Sequence, residues 1–257
     1  MRFAPIAAAF TLACLLLSGT ANASAYPIRD STLTANKLYK TGDLRKSKCH
    51  EPSVQRNDVA SAKRYLTAIL GCLNRSWGAH FKRAGLPFTP AKIGFITKPR
   101  KFCGSSWDDA AGVYCPSERR FLVLLDKVVL EDPTDLYLFN VAAHEFGHHV
   151  QGLTGISDAN DEITYRNEKE FDEQSRREEL QAECLGGAII GGVWGSLDRT
   201  EEDWEFLLDL TRESDEEAAS IRSHGTNKSI AAWLDRGFDA ASPRACNTWT
   251  APSSKVA

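Results

Sequence analysis

The chain has 257 residues, of which 42% are hydrophobic and 25% charged, and a formal net charge of −3. Those values fit one ordinary globular domain with room for a sizeable core. They provide no basic footprint for nucleic acid and so exclude that class of partner.

The first segment reads as a leader. Arg2 precedes an apolar run over residues 3–17, followed by Ser18-Gly19-Thr20 and the small-residue series Ala21-Asn22-Ala23. This is the layout of a cleavable secretory signal over residues 1–23, cut after Ala23. The run is too short for the ~20 residues of a spanning helix, so no stable membrane insertion is expected after cleavage. Leu15-Leu16-Leu17 carry the apolar run past Cys14, which argues against a lipoprotein site. Without the leader the chain is one unit more negative and keeps Cys49, Cys72, Cys103, Cys115, Cys184 and Cys246. An even set of cysteines in a secreted or periplasmic protein predicts disulfides. Cys103 and Cys115 bracket the turn-rich segment Gly104-Ser105-Ser106-Trp107-Asp108-Asp109, which makes them the one pair expected from spacing. No Cys-x-x-Cys pair supports a thiolate metal site.

Residues 24–55 are polar with scattered prolines and read as an irregular arm, and residues 56–250 as the folded domain. Asn57-Asp58 can cap a helix whose apolar positions Val59, Ala62, Leu66, Ile69, Leu73 and Trp77 keep helical spacing until Gly85-Leu86-Pro87 stops it. Residues 93–97 and 120–126 read as strands, with Val113-Tyr114 as a third between them. A helix is then predicted over residues 135–151, free of proline and bounded by Pro133 and by Gly152 and Gly155. On it lies His144-Glu145-Phe146-Gly147-His148. Residues four apart share a helix face, so His144 and His148 can bring two imidazole nitrogens to one ion, with Glu145 beside the open position as a general base. His149 points elsewhere on the helix and reads as a surface polar group or a support for a ligand.

Residues 158–183 hold ten acidic and four basic residues, a pattern typical of a solvated helix or loop. Its far end continues through Gly187 into the apolar, glycine-rich stretch 188–195, so Glu179 and Glu183 stand where a helix goes from wet to buried. A buried carboxylate needs a cation or must neutralise, and spacing alone permits either glutamate to complete a metal site. Residues 201–221 and 228–236 read as further helices, with His224-Gly225-Thr226-Asn227 as the loop between them.

With His144-Glu145-Phe146-Gly147-His148-His149-Val150-Gln151 and Glu179-Leu180-Gln181-Ala182-Glu183-Cys184 in view, the chain resembles the bacterial neutral zinc metallopeptidases, a gluzincin-like family. Supporting likenesses are Gly85-Leu86-Pro87-Phe88, Tyr114-Cys115-Pro116, His224-Gly225-Thr226 with Trp233, Arg236-Gly237-Phe238 and Ala245-Cys246. Two departures stand out: Glu183 replaces the family's usual aspartate, and Ile230 an arginine. The resemblance implies an α+β, mostly helical, zincin-like fold, with a small sheet on the metal helix and a second helix giving a glutamate ligand. It implies Zn2+ held by His144, His148 and Glu179, with Glu183 accepting a hydrogen bond from a ligand histidine. Glu145 then acts as the base and His224 as a candidate to hold the oxyanion, the alternative being a histidine that caps a helix. The substrate would be a peptide or protein, paired with residues 121–125 as an edge strand. An exported zinc peptidase is the leading reading. A zinc hydrolase of a non-peptide amide and an inactive zinc-bearing scaffold are the alternatives.

Overall fold

The computed structural model describes residues 28–107, 110–131, 135–214 and 218–257, so the expected leader and part of the 104–109 turn lie outside the described residues. The protein is mostly helical with one small mixed sheet. In chain order the elements are α1 (Ser31–Thr34), α2 (Val59–Ala84), β1 (Lys92–Ile96), β2 (Gly112–Cys115), β3 (Arg120–Leu124), α3 (Lys127–Glu131), α4 (Asp135–Leu153), α5 (Ile156–Glu162), α6 (Glu168–Val193), α7 (Glu201–Glu213), α8 (Ala218–His224) and α9 (Asn227–Ala240), with short 3-10 turns between and after them.

Helix α2 begins at Asp58, whose carboxylate accepts from Ala60 N–H, and ends at Gly85 in the left-handed region at φ 67°. Both ends follow from local chemistry: a carboxylate satisfies an orphan N–H, and glycine turns the chain without a Cβ penalty. Helix α6 starts on Asn167, whose side chain accepts from Glu170 N–H, buries only one face through Glu170, Gln174 and Arg177, and is buried nearly all round from Leu180 onward. It packs on α4 along one flank and on α9 along the other. No helix among the described residues is long and apolar enough to cross a membrane.

The sheet has the order β1-β3-β2, with β1 parallel and β2 antiparallel to β3. Strand β3 is therefore central, which corrects the expectation that residues 121–125 form an edge. Phe121, Val123 and Leu125 enter the main core with α2 and α4, while Leu122 and Leu124 join Ile96 under Phe102 and Trp107 on the opposite face. A strand covered on both faces reads as a continuous apolar run, whereas one solvated face would alternate. The edges are β1 and β2.

Three disulfides join Cys49 to Cys72, Cys103 to Cys115 and Cys184 to Cys246. The second is the pair expected from spacing and fastens the end of β2. The stretch expected as an arm contains α1 and a 3-10 turn over Lys37–Lys40. Its Leu33, Leu38, Tyr39 and Leu44 are buried in the core.

His80 on α2 holds this segment in place. Its Nδ1 accepts from Arg83 at 3.2 Å and its Nε2–H donates to Thr41 Oγ1 at 2.7 Å. Burial pushes its pKa from 6.5 down to about 4, the Arg83 charge acts in the same direction and Asp43 opposes. Between those two values the unfolded chain binds the proton and the folded chain does not, so stability falls as pH drops through that window. The loss attributable to this residue approaches about 3 kcal/mol near pH 4. Replacing His80 by Gln, which keeps a donor but cannot titrate there, is expected to flatten the fall. Urea midpoints of both proteins at pH 7 and pH 4.5 check it; equal pH dependence would exclude His80 as its source.

Candidate metal centre

The centre is assembled by α4 and α6. Their close crossing depends on Gly147, where a Cβ would stand 2.5 Å from the Ala182 carbonyl oxygen and 2.7 Å from its Cα. Only a glycine lets the two backbones meet there, beside His148 and about one turn after His144. On the α6 side, Gly186 faces the backbone of Ala143 and His144.

That crossing brings His144, His148 and Glu179 together, a group able to hold a metal ion. His144 Nε2 and His148 Nε2 are 3.1 Å apart, and they lie 3.3 and 3.2 Å from Glu179 Oε2. Tetrahedral zinc with bonds of ~2.0–2.1 Å places its donor atoms roughly 3.3–3.4 Å apart, so the three donors stand near the edges of one coordination tetrahedron. Glu179 Oε2 is buried and makes no hydrogen bond of acceptable geometry. A buried carboxylate oxygen left so, facing imidazole nitrogens, suits a bound cation. The donor set therefore fits the metal.

The surrounding groups fix each ligand. His144 Nδ1 is 2.7 Å from Glu183 Oε2, and Glu183 Oε1 accepts from Asn140 Nδ2 at 2.8 Å. The extra methylene of Glu183 is thus accommodated. His148 Nδ1 is 2.9 Å from Gln151 Oε1. Burial would lower the His144 pKa, yet the facing carboxylates of Glu179 and Glu183 raise it well above the ordinary value. Burial would raise Glu179, yet the His148 charge and the contacts with both histidines hold it well below. The centre attracts positive charge.

Glu145 is buried beside the cluster but outside the three converging donors, packed against Gly112 of β2, where a Cβ would stand 2.8 Å from its Oε1. Burial raises its pKa, opposed by His144 and His148. His224 ends α8 with its side chain 46% exposed and its Nε2 3.4 Å from Glu179 Oε2. Helix capping next to it belongs to Thr226, whose side chain accepts from Ser229 N–H at the start of α9. Ile230 is partly buried against the main core.

His149 is a correction. It is fully buried: Nε2–H donates to the Thr89 carbonyl at 2.7 Å, and Nδ1 accepts from Tyr114 OH at 2.8 Å. Burial lowers its pKa, as does Arg119, while the Thr89 bond opposes. It fastens β2 and the loop after α2 to α4. His144 and His148 turn toward Glu179, but packing against the sheet claims this face of the helix.

Gln151 and Gln181 escaped the sequence reading. A signal existed: Gln151 stands three residues after His148 on one helix, and Gln181 is an uncharged polar residue within the segment that enters the core.

Two imidazoles and one carboxylate from packed helices, with a further glutamate beside them, form a candidate three-donor metal centre. The chain belongs to the family described as "Putative neutral zinc metallopeptidase", which it matches over residues 23–249. It is 28% identical over 219 residues to the uncharacterized protein YpfJ of Escherichia coli strain K12, covering 77% of this chain and 74% of that one. The YpfJ protein of Escherichia coli O6:H1 is similar to the same extent. No solved structure matches the chain.

Proposed function

We propose that this protein is an exported, zinc-dependent peptidase of zincin-like design, with His144, His148 and Glu179 as ligands and Glu145 as the base. The observation that carries the reading is the convergence of three donor atoms within 3.1–3.3 Å around a buried carboxylate oxygen that lacks a hydrogen bond. Three disulfides among the described residues support an oxidising location, secreted or periplasmic. Bound at this site, zinc supplies Lewis acidity, lowering the pKa of water from 15.7 toward about 7 and polarising a carbonyl.

The chain's own residues do the rest. Glu145 takes the proton of the attacking water and later delivers it to the leaving amine. Its burial excludes competing solvent and raises the carboxyl pKa, which favours acceptance of a proton. Glu183 and Gln151 keep the Nδ1 protons on the two ligand histidines, so that both Nε2 lone pairs face the ion. An extended peptide pairs with β2, the edge strand whose Gly112 touches Glu145, and not with the central β3. His224 reaches the rim of the same centre and holds the oxyanion.

Digestion of a peptide library with and without a chelator, followed by zinc restoration, tests the function. Cleavage that the chelator abolishes and zinc restores is expected. Tight zinc binding without cleavage of any peptide would leave a scaffold or a hydrolase of another amide.

His224→Ala is expected to lower kcat by about 10²–10³-fold, with KM little changed, because the imidazole meets charge that appears only in the transition state. Steady-state kinetics on one cleaved peptide decide it. Unchanged kcat with a lower melting temperature would reduce His224 to a structural residue.

A further inference from the structure

We propose that Gln151, backed by Gln181, is a positioning residue that fixes the proton and ring plane of His148 and ties the metal centre to the N-terminal segment and the C-terminal tail. The proposal rests on the reading of His148 as a metal ligand. Gln151 is fully buried on α4, and its Oε1 faces His148 Nδ1 at 2.9 Å. An amide side chain can flip, exchanging its acceptor and donor ends, so its neighbours must decide which end is which.

Here they do. Gln151 Nε2 stands 2.7 Å from the Glu178 backbone carbonyl, which can only accept. Flipped, the amide would set two oxygens against each other at that distance. Oε1 therefore faces His148 and accepts its Nδ1–H, leaving the Nε2 lone pair toward His144 and Glu179.

Gln181 is fixed in the same way. Its Nε2 donates to the Cys246 carbonyl at 2.9 Å and to the Tyr39 hydroxyl at 2.8 Å. Its Oε1 accepts from Gln151 Nε2 at 3.1 Å and from the Trp249 indole N–H at 3.3 Å, a group that can only donate. The Tyr39 hydroxyl in turn donates to the Leu33 carbonyl at 3.0 Å. The chain of bonds runs in one direction, and its ends are backbone carbonyls and an indole that cannot reverse. Reversing either amide would leave buried groups facing like partners.

The two ligand histidines are thus backed differently, His144 by a carboxylate and His148 by a neutral amide. A second backing carboxylate would add negative charge to a buried cluster that already holds Glu145, Glu179 and Glu183. The amide sets the tautomer without that cost.

The test is zinc affinity, measured by competition with a chromophoric chelator, for the wild-type protein and Gln151→Met, with melting temperatures of the zinc-free forms. Gln151→Met, similar in size but without the acceptor, is expected to bind zinc about 10–100-fold more weakly. Unchanged affinity with a lower melting temperature would show Gln151 to be structural only and overturn the proposal. Should the variant not fold, histidine-labelled, zinc-loaded wild type answers by NMR. A His148 Nδ1–H protected from exchange supports the proposal, and one that exchanges as fast as that of exposed His50 overturns it. A failed peptidase reading would instead appear as zinc-loaded wild type that cleaves nothing, which leaves the affinity comparison intact. Wild type that binds no zinc overturns both.

Discussion

Replacing Glu145 by Gln is expected to lower peptide hydrolysis by about 10²–10⁴-fold while the protein keeps its zinc. The substitution preserves shape in a confined place, since Glu145 is 5% exposed and pressed against Gly112 of β2. It removes only the ability to accept a proton. Glu145 follows His144 directly on α4, so it lies about 100° around the helix and contributes none of the three donor atoms that converge at 3.1–3.3 Å. Loss of its charge weakens the local attraction for the cation only modestly, because all three donor atoms stay in place. Zinc content by mass spectrometry and kcat/KM on one peptide give the two readouts. Turnover at the wild-type level with full zinc occupancy would remove Glu145 from the mechanism.

Those parts of the molecule that local chemistry dictates were legible in the sequence. Helix α4 is announced by its freedom from proline and by Gly155 after it, though it runs through Gly152 to Leu153 where an end at residue 151 was expected, and α2 by Asp58 and Gly85 at its ends. The convergence of His144 and His148 is readable because four-residue spacing on a helix leaves little freedom in where the rings can point. Long-range packing was not legible. Whether residues 121–125 pair on one side or two depends on where β1 and β2 dock, and the continuous apolar run is a consequence of that docking. His149 resembles its neighbours in type, yet its surroundings come from Thr89 and Tyr114, far off in sequence. Residues 201–221, read as one helix, form α7 and α8, because Ser214 turns to an extended conformation at ψ 151°. The buried role of Leu33, Leu38 and Tyr39 was hidden by the polar composition around them.

The choice between Glu179 and Glu183 lay beyond spacing, and the geometry bears on it through distance. Glu179 places Oε2 between the two Nε2 atoms at 3.3 and 3.2 Å, whereas Glu183 reaches the far side of the His144 ring, 2.7 Å from Nδ1. One carboxylate is positioned to share a cation with both rings, and the other to hold one ring in place. Glu183 is also occupied on its second oxygen by Asn140, while Glu179 Oε2 has no hydrogen bond to lose on taking a metal. Glu179→Ala is therefore expected to lose zinc outright, since two imidazoles alone make too few donors for a stable four-coordinate site. Glu183→Ala is expected to weaken zinc by roughly 10–100-fold, because the His144 ring then loses the partner that fixes its tautomer. Glu183→Asp, which keeps a carboxylate for the His144 ring, should retain binding closer to wild type. Metal titration of the three variants distinguishes the roles: zinc retained by Glu179→Ala but lost by Glu183→Ala would reverse the assignment.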